Sequence, residues 1–390
     1  MTNAPALDVF LHDRRIGSLV YLEGDGSIFS FDRAYVADAA RPILSLSYKD
    51  TLGGLIDTPR AYRTRIEPFF SNLLPEGTLR DFLARRAGVK ALREFPLLTQ
   101  LGEDLPGAVK VLPVDNVQAP FDPVSDERVS EQIARTMRFS LAGVQLKFSG
   151  IRSGAKNGGL AIPASGIGGD WIVKLPSVRH PDVPEAEFAA MTLARRLGID
   201  VPDIDLIPIE AVEGLPEGIQ RYGQSAYAIR RFDRGPDGPV HIEDFAQVFS
   251  VYPDDKYENA SYRQLLAVLA IEADETSVVE FIRRLTYCVL IGNGDMHLKN
   301  WSLAYPDRRR PILGPAYDLL STVAYLPEDD AALKFHRSRR WNSFTYTELA
   351  AIADKARLPS HLVVSTARDT VARFDQLWNQ ERSHLPVDFH

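Results

Sequence analysis

The most informative stretch of the chain is Ile291-Gly-Asn-Gly-Asp-Met-His-Leu-Lys-Asn300, which follows a segment with the apolar period of a helix. Its two polar anchors, Asp295 and Asn300, are separated by four residues. In phosphoryl-transfer enzymes such a loop places a carboxylate beside an attacking hydroxyl and returns an amide oxygen to a metal ion. Taken alone, however, the pair more often marks a simple turn in which Asp295 caps a backbone N–H group.

The segments around this loop favour the chemical interpretation. Downstream, Ala316-Tyr317-Asp318 brings an acidic residue eighteen positions after Asn300, where a second metal-binding Asp is expected. Tyr-Asp stands there in place of Asp-Phe-Gly, so a conventional activation switch is not expected. Upstream, Lys174 ends an apolar segment, as a lysine aimed at nucleotide phosphates does, although a lone strand-end lysine more often reaches solvent.

Three further features carry weaker signals. Glu187 lies on a predicted helix 13 residues after Lys174 and either pairs with it or faces solvent. The segment from Ser140 to Lys147 contains small residues whose backbone N–H groups could approach phosphate oxygens, but Ser140 also fits a turn or cap. Arg230-Arg231-Phe232 lies where the chain passes between predicted lobes and either meets an adenine edge or simply ends a strand.

The order of these parts is more specific than any one of them. A phosphate loop, a lysine, a helix glutamate, a connector, the Asp-x4-Asn loop, a hairpin and a further Asp follow one another along the chain. Phosphoryl transfer depends mainly on positioning and charge neutralisation, which requires these parts in this arrangement. The sequence therefore predicts a phosphotransferase.

Composition is that of an ordinary globular protein and excludes a disordered chain or a fibre. The 390 residues include one cysteine, so an intramolecular disulfide framework and a cysteine-based zinc cluster are excluded. The formal charge of −7 argues against broad non-specific nucleic-acid binding by the whole molecule. No signal peptide and no membrane-spanning run are recognised, and a cytoplasmic protein without a membrane partner is expected.

The pattern of predicted elements is α+β. Alternating residues from Val9 to Ser45 predict strands joined by turns at Asp13-Arg14 and at a Gly-Asp-Gly, and a helical period from Pro68 to Gly88 follows. Short strands and a helix from Pro184 to Leu197 come next, and the chain is mainly helical after Asp233. This order predicts two lobes with a cleft between them. The predicted domain boundaries give an N-terminal subdomain at residues 1–115, a first lobe at residues 116–232 and a second lobe at residues 233–390.

These segments resemble the HipA family of serine/threonine kinases, the toxins of bacterial type II toxin–antitoxin modules. The resemblance runs nearly end to end. It rests on RPILSLS, FFSNLLPEG, SLAGVQLK, WIVKLP, EAEFAAMTLARRLGIDVPD, RRFDR, HIEDFAQVF, GNGDMHLKN and PAYDLLS. It implies a bilobal protein-kinase-like fold, with a small β-rich N-lobe and a larger helical C-lobe, after an extra N-terminal α+β subdomain.

The resemblance also implies a role for each matching position. Asp295 would be the catalytic base, and Asn300 and Asp318 the Mg²⁺ ligands. Lys174 would contact the phosphates of ATP, with Glu187 as its supporting ion-pair partner. The rest of the nucleotide site would consist of the phosphate-loop residues Ala142, Gly143, Val144, Gln145 and Lys147, the hinge residues Arg230, Arg231 and Phe232, and His297, Lys299 and Tyr317. The arginine at position 230 departs from the family pattern, so contacts with adenine are expected to differ.

Ser140 matches the serine at which family members phosphorylate themselves and become inactive. A phosphate adds about −1.5 to −2 charges, and in this loop it should clash with ATP. The resemblance further implies a protein substrate such as an aminoacyl-tRNA synthetase and a HipB-like helix-turn-helix antitoxin through which operator DNA is bound. The basic run Lys334-Phe-His-Arg-Ser-Arg-Arg340 either touches DNA in such a complex or, more simply, forms a solvated face.

Two other functions are compatible with parts of the sequence. GNGDMHLKN also looks like the loop of aminoglycoside or choline kinases, which would make the protein a small-molecule kinase, but the N-terminal unit and the Ser140 loop argue against it. The second is a catalytically silent co-repressor that only strengthens the binding of the antitoxin to DNA. The complete set of phosphotransfer residues argues against this alternative.

Overall fold

The computed structural model of the chain describes residues 5–22, 24–86, 88–114, 147–152, 160–161, 168–177, 179–213, 215 and 219–381. These residues fall into two compact units. The first comprises residues 5–114, Asp233–Asp254 and Tyr305–Arg309, and the second comprises the other described residues from 147 onward. The three-part division expected from the sequence remains a prediction.

The described strands, in chain order, are β1 Ala6–Leu11, β2 Arg14–Leu22, β3 Gly26–Phe31, β4 Ala61–Tyr62, β5 Val109–Pro113, β6 Lys147–Arg152, β7 Leu160–Ala161, β8 Trp171–Lys174, β9 Ile204–Pro208, β10 Val212–Glu213, β11 Ser225–Arg230, β12 Arg234–Gly235, β13 Gly238–Pro239, β14 His241–Asp244, β15 Ser302–Tyr305 and β16 Ile312–Leu313. The described α-helices are α1 Arg33–Ala37, α2 Pro68–Ser71, α3 Gly77–Arg86, α4 Glu94–Leu101, α5 Val183–Arg196, α6 Phe245–Val248, α7 Tyr262–Glu272, α8 Glu275–Leu290, α9 Tyr346–Lys355 and α10 Ser360–Glu381.

The first unit is built on an antiparallel five-stranded sheet with the order β4-β3-β2-β1-β5. Strand β1 forms because Leu7, Val9 and Leu11 alternate with more exposed positions and share one buried face. The turn before β3 holds Gly24 and Asp25 at φ of +86° and +67°, a left-handed conformation that glycine adopts freely and Asp tolerates. The strands predicted up to Phe31 and the Gly-Asp-Gly turn are confirmed. The strand-like alternation predicted on to Ser45 was wrong, because Arg33–Ala37 form helix α1 and residues 38–45 form no strand.

The helical period predicted from Pro68 to Gly88 is not one helix, and in this respect the prediction was wrong. Helix α2 ends at Ser71 and α3 begins only at Gly77. Pro75 lies between them, and proline both lacks a backbone donor and disfavours the helical conformation of the residue before it. The apolar period continues across this break, which is why the sequence pattern alone suggested continuity.

A buried polar cluster joins distant segments of the first unit. The carboxyl group of Glu243 accepts hydrogen bonds from Ser45 Oγ (2.5 Å), from the backbone N–H of Leu46 (3.0 Å) and from the hydroxyl of Tyr305. Burial raises the pKa of Glu243 to about 7, although these three donors oppose the shift. The first unit therefore contains an interior carboxyl group that titrates near neutral pH.

The β-rich part of the second unit is a six-stranded sheet with the order β10-β7-β6-β8-β11-β9. Its described pairs are antiparallel except for β7 with β10. Helix α5 buries an apolar stripe that includes Ala190, Leu193 and Ala194, and Gly198 follows it at a φ of +87°. The helix predicted from Pro184 to Leu197 is thus confirmed to within one residue at each end.

The helical part of the second unit is centred on α8, which has one buried apolar face. The only cysteine of the chain, Cys288, lies on this face. The hydroxyl of Tyr287 donates to the carbonyl of Ala190 (2.6 Å), which ties α8 to α5. Gly292, with a φ of +63°, follows the helix end and redirects the chain into the loop that contains Asp295 and Asn300.

The second unit therefore has a β-rich part and a helical part, as the predicted kinase-like α+β fold requires, and the N-terminal α+β subdomain is present in the first unit. None of the helices among the described residues is both long and apolar enough to cross a membrane.

Candidate active site

Lys174 is the last residue of β8 and is 3% exposed. Its ammonium group donates to the carboxylates of both Glu187, on α5, and Asp318. Burial alone would lower the pKa of Lys174, but these two carboxylates raise it above its usual range. The structure therefore brings together the lysine, the helix glutamate and the downstream aspartate, which lie 13 and 144 residues from Lys174 in sequence.

Asp318 faces two lysines. Lys174 bonds its Oδ1, and Lys147 Nζ, at the start of β6, lies 3.3 Å from its Oδ2. Burial would raise the pKa of Asp318, but the two ammonium groups hold it well below its usual range, so the group is a carboxylate at any physiological pH. Its backbone is left-handed, with a φ of +55°.

The loop from Asn293 to Asn300 is held in a defined conformation by side-chain amides. Asn300 Nδ2 donates to the carbonyl of Asp295 (2.7 Å), which closes the loop across the Asp-x4-Asn spacing. Asn293, which is buried, accepts from the backbone N–H of Asp295 (3.1 Å) and donates to the carbonyl of Asp318 (3.3 Å). Asn293 thus links the two acidic positions, a role that the sequence analysis missed.

Asp295 points its carboxylate outward, with 53% of the side chain exposed. Tyr257 Oη donates to Asp295 Oδ1 (2.5 Å), and the Tyr257 ring packs edge-on against His297 with centroids 4.9 Å apart. The surrounding protein partly desolvates the Asp295 carboxyl group, and this desolvation, together with the nearby negative charge of Asp318, raises the pKa of Asp295. The hydrogen bond from Tyr257 opposes this shift. Tyr257 was also missed by the sequence analysis, since nothing in its own segment marks it.

The other predicted residues that the structure describes make contacts of their own. The rings of Phe232 and Tyr317 stack with centroids 5.9 Å apart. The Tyr317 hydroxyl donates to the carbonyl of Lys299 (2.9 Å). The Arg230 guanidinium lies 3.5 Å from Asp203, and the backbone N–H of Arg231 donates to the carbonyl of Asp170 (2.7 Å).

Five predicted residues lie outside the described part of the chain. They are Ser140, Ala142, Gly143, Val144 and Gln145.

A buried Lys–Glu pair that also contacts an aspartate, next to a loop with Asp and Asn five positions apart, is the set of parts that defines a protein-kinase-like phosphotransferase. Residues 7–112 match the family model of the HipA N-terminal domain, and residues 139–378 match that of the HipA-like C-terminal domain. The chain therefore belongs to the HipA family of kinases.

Relatives along the whole chain agree with this assignment. The chain is 54% identical over 388 residues to the protein named "Putative kinase Y4dM" of Sinorhizobium fredii. The aligned region covers 99% of this chain and 94% of that protein. It is 27% identical over 406 residues to the serine/threonine-protein kinase toxin HipA of Shewanella oneidensis, covering 95% and 88% of the two chains.

Among solved structures, the Shewanella oneidensis MR-1 complex of HipA, HipB and operator DNA contains a chain that matches with a TM-score of 0.73 and 25% identity. The match covers 98% of this chain and 92% of that one. The predicted fold class is therefore confirmed.

Proposed function

We propose that this protein is an ATP-dependent serine/threonine protein kinase that acts as a HipA-type toxin. The observation that carries the proposal is the position of Lys174, whose ammonium group bonds both Glu187 and Asp318. In protein kinases a Lys–Glu ion pair and a metal-binding Asp must both be in place for phosphoryl transfer. Membership of the HipA family supports the same activity.

Asp295 is the catalytic base in this proposal. Its exposed carboxylate can accept the proton of a serine or threonine hydroxyl as the hydroxyl oxygen attacks the γ-phosphorus of ATP. The bond from that phosphorus to the bridging oxygen breaks, and ADP leaves. A base works best when its pKa is nearer the working pH, and the direction of the Asp295 shift agrees with this requirement.

Lys174 and Lys147 supply the positive charge that holds the phosphates. Both ammonium groups converge on Asp318, so phosphates that arrive there meet two cations. The stacked rings of Phe232 and Tyr317, with the backbone of Arg230 and Arg231, form the proposed adenine side of the site. In the same proposal, His297 and Lys299 complete the nucleotide site from the catalytic loop.

The donor set fits Mg²⁺. Asp318 offers a carboxylate and Asn300 an amide oxygen, and Mg²⁺ prefers such oxygen ligands. Among the described residues, no cluster of three or more acidic, histidine or cysteine side chains could hold a metal unaided. Mg²⁺ usually binds one or two protein carboxylates and completes its shell with substrate phosphates, which agrees with this sparse set. When bound, Mg²⁺ would neutralise charge on the transferring phosphate.

The proposal is tested by incubating the purified protein with radiolabelled ATP and Mg²⁺ and following transfer to protein. Asp295→Asn should reduce transfer by a factor of about 10² to 10⁴, the usual contribution of general base catalysis. Its exposed side chain means that the variant should fold normally. Equal transfer by the wild type and by Asp295→Asn would contradict the proposed role.

Ser140 is the proposed site of self-inactivation. Family resemblance supports this assignment, and a phosphate at this position would repel the phosphates of ATP. Ser140→Ala should therefore stay active longer than the wild type during incubation with Mg²⁺ and ATP. Mass spectrometry should find phosphate on Ser140 in the wild type but not in Asp295→Asn. An unchanged rate of self-inactivation in Ser140→Ala would contradict the mechanism.

We also propose a HipB-like helix-turn-helix antitoxin as the partner of this chain, with operator DNA bound mainly through the antitoxin. The Shewanella oneidensis structure that this chain resembles contains HipA, HipB and operator DNA, which supports the proposal. An aminoacyl-tRNA synthetase is the proposed class of target, and growth inhibition with persistence the proposed effect. Phosphoproteomics of cells that briefly express the wild type or Asp295→Asn would identify the target.

A further inference from the structure

A pocket of about 440 Å³ opens beside the catalytic loop, within the second unit. Two segments line it, one around the start of α7 and one from the basic run after residue 333. The charged and aromatic lining residues are Tyr257, Glu258, Arg263, Lys334, His336 and Arg339. Three full positive charges against one negative charge give this lining a net charge of +2 with the histidine neutral, in a chain whose overall charge is −7.

Backbone hydrogen bonds hold the two segments of this basic pocket together. The N–H of Tyr262 donates to the carbonyl of Lys334 (3.0 Å), and the N–H of Arg263 donates to the carbonyl of Phe335 (3.2 Å). The two backbone segments that carry the cationic side chains are therefore held together before any ligand binds.

Tyr257 connects the basic pocket to the proposed catalytic base. Its hydroxyl donates to Asp295 (2.5 Å), and its carbonyl accepts from Arg339 Nη2 (2.6 Å). The adjacent carbonyl of Lys256 accepts from the backbone N–H of Leu298 in the catalytic loop (3.1 Å). Tyr257 thus lies between Asp295 and the pocket, which places the cations close to the position proposed for the acceptor hydroxyl.

We propose that the basic pocket is a subsite for an anionic side chain of the protein substrate, close to the acceptor serine or threonine. The inference rests on the proposed kinase activity and specifies its substrate class. Guanidinium groups bind carboxylates and phosphates through paired N–H donors, and lysine adds a point charge. The anion is therefore the carboxylate of Asp or Glu, or the phosphate of a residue phosphorylated earlier.

A polypeptide fits these observations better than a nucleic acid. Affinity for nucleic acids grows with the number of phosphates that lysine and arginine neutralise along the backbone. Here the cations line one open pocket that also contains Glu258, and the chain carries a net negative charge. The basic pocket also lies next to Asp295, the proposed catalytic base, so residues that flank the acceptor of a protein substrate are expected near it.

The test uses the full-length protein with Mg²⁺, ATP and a library of serine and threonine acceptor peptides. Each flanking position is varied among Asp, phosphoserine, Ala and Lys. At one or two positions, Asp or phosphoserine should raise kcat/KM about tenfold over Ala, and Lys should lower it. Comparison of the Asp and phosphoserine peptides distinguishes a carboxylate ligand from a phosphate ligand.

Charge reversal supplies the matched control. Lys334→Glu places an acid on an exposed pocket residue and should invert the preference toward Lys at the same flanking position. Lys355→Glu reverses an exposed lysine on α9, away from the pocket lining, and should keep the preference for acidic peptides.

Four outcomes overturn the inference. If peptides are phosphorylated without any acidic preference, or if that preference survives Lys334→Glu, the subsite is wrong although the kinase activity stands. If a short random RNA binds with an affinity that Lys334→Glu abolishes and the peptide preference is absent, the pocket is a nucleic-acid site. If neither peptides nor the protein itself are labelled, the proposed function fails, and the inference fails with it.

Discussion

Lys174 and Glu187 form an ion pair in which both residues are almost fully enclosed, with 3% and 2% of their surfaces exposed. Taking two charges out of water is unfavourable, and only good geometry with further hydrogen bonds compensates for it. Here Asp318 supplies the further contact to Lys174. The group is therefore a three-member cluster whose members depend on one another, and the same cluster lies at the proposed phosphate site.

Replacing Lys174 by alanine should destabilise the second unit strongly. The change leaves Glu187 and Asp318 as neighbouring carboxylates without the buried cation, and removal of one partner of a buried pair typically costs about 3 to 5 kcal/mol. Lys147→Ala removes a contact from the same Asp318 but from a side chain that is 48% exposed, so its effect should stay below about 1 kcal/mol. Urea unfolding of both variants measures the difference, and equal losses would contradict the burial argument.

Asp318→Asn should fold but lose phosphoryl transfer. Asparagine tolerates the left-handed φ of +55° at this position, so the backbone is not strained. The change removes the carboxylate proposed to bind Mg²⁺, and transfer should fall at least about 100-fold, since loss of one electrostatic contributor commonly costs that much. The Mg²⁺ concentration for half-maximal rate should also rise. A variant with an unchanged Mg²⁺ requirement would remove Asp318 from the metal site.

Tyr257→Phe should lower kcat while leaving the KM for ATP unchanged. The ring still packs on His297, and only the hydroxyl that bonds Asp295 is lost. A hydrogen bond of this kind contributes about 1 kcal/mol or somewhat more, so kcat should fall roughly fivefold to tenfold. Tyr346→Phe removes a hydroxyl from another exposed tyrosine and serves as the control. A normal kcat for Tyr257→Phe would show that Asp295 needs no such positioning.

Stability of the first unit should fall as the pH rises from about 4.5 to about 7. Burial raises the pKa of Glu243 to about 7, so in this range the unfolded chain has released a proton that the folded state still holds. Stability from such a group is complete below the unfolded pKa and is lost as the pH passes through the folded pKa. Glu67 carries a similar shift, also to about 7.

Glu243→Gln should therefore flatten this dependence in part, leaving the contribution of Glu67. The wild type should lose up to about 1.4 kcal/mol per pH unit for each such group. Chemical unfolding at pH 5 and at pH 7.5 measures the change. If the stability difference between wild type and Glu243→Gln is the same at both values, Glu243 does not titrate as described.

Local patterns predicted much of the fold because they reflect local physics. Alternation along β1 and the apolar stripe of α5 follow from the periods of a strand and a helix, and both elements were found where expected. The break between α2 and α3 was missed because the apolar period passes across Pro75. In that region one residue without a donor outweighed the periodicity.

The site was predictable only where chemistry marks a residue. Lys174 and Asp318 are charged residues in apolar segments. Their order along the chain predicted that they belong to one site. Tyr257 and Asn293 carry no such mark. The segment that contains Tyr257 is held by a hydrogen bond from the backbone N–H of Leu298 to the carbonyl of Lys256. Every residue has a backbone carbonyl, so nothing in the sequence indicates this contact. A contact of this kind becomes visible only in three dimensions.

The buried position of Cys288 has a practical consequence for fluorescent labelling of this kinase. Burial raises the pKa of its thiol to about 12, and a shielded, protonated sulfur reacts poorly with maleimide dyes. Because it is the only cysteine of the 390 residues, one cysteine introduced at the surface should take up a fluorophore alone. Substrate arrival can then be followed optically in a protein that needs no prior removal of native thiols.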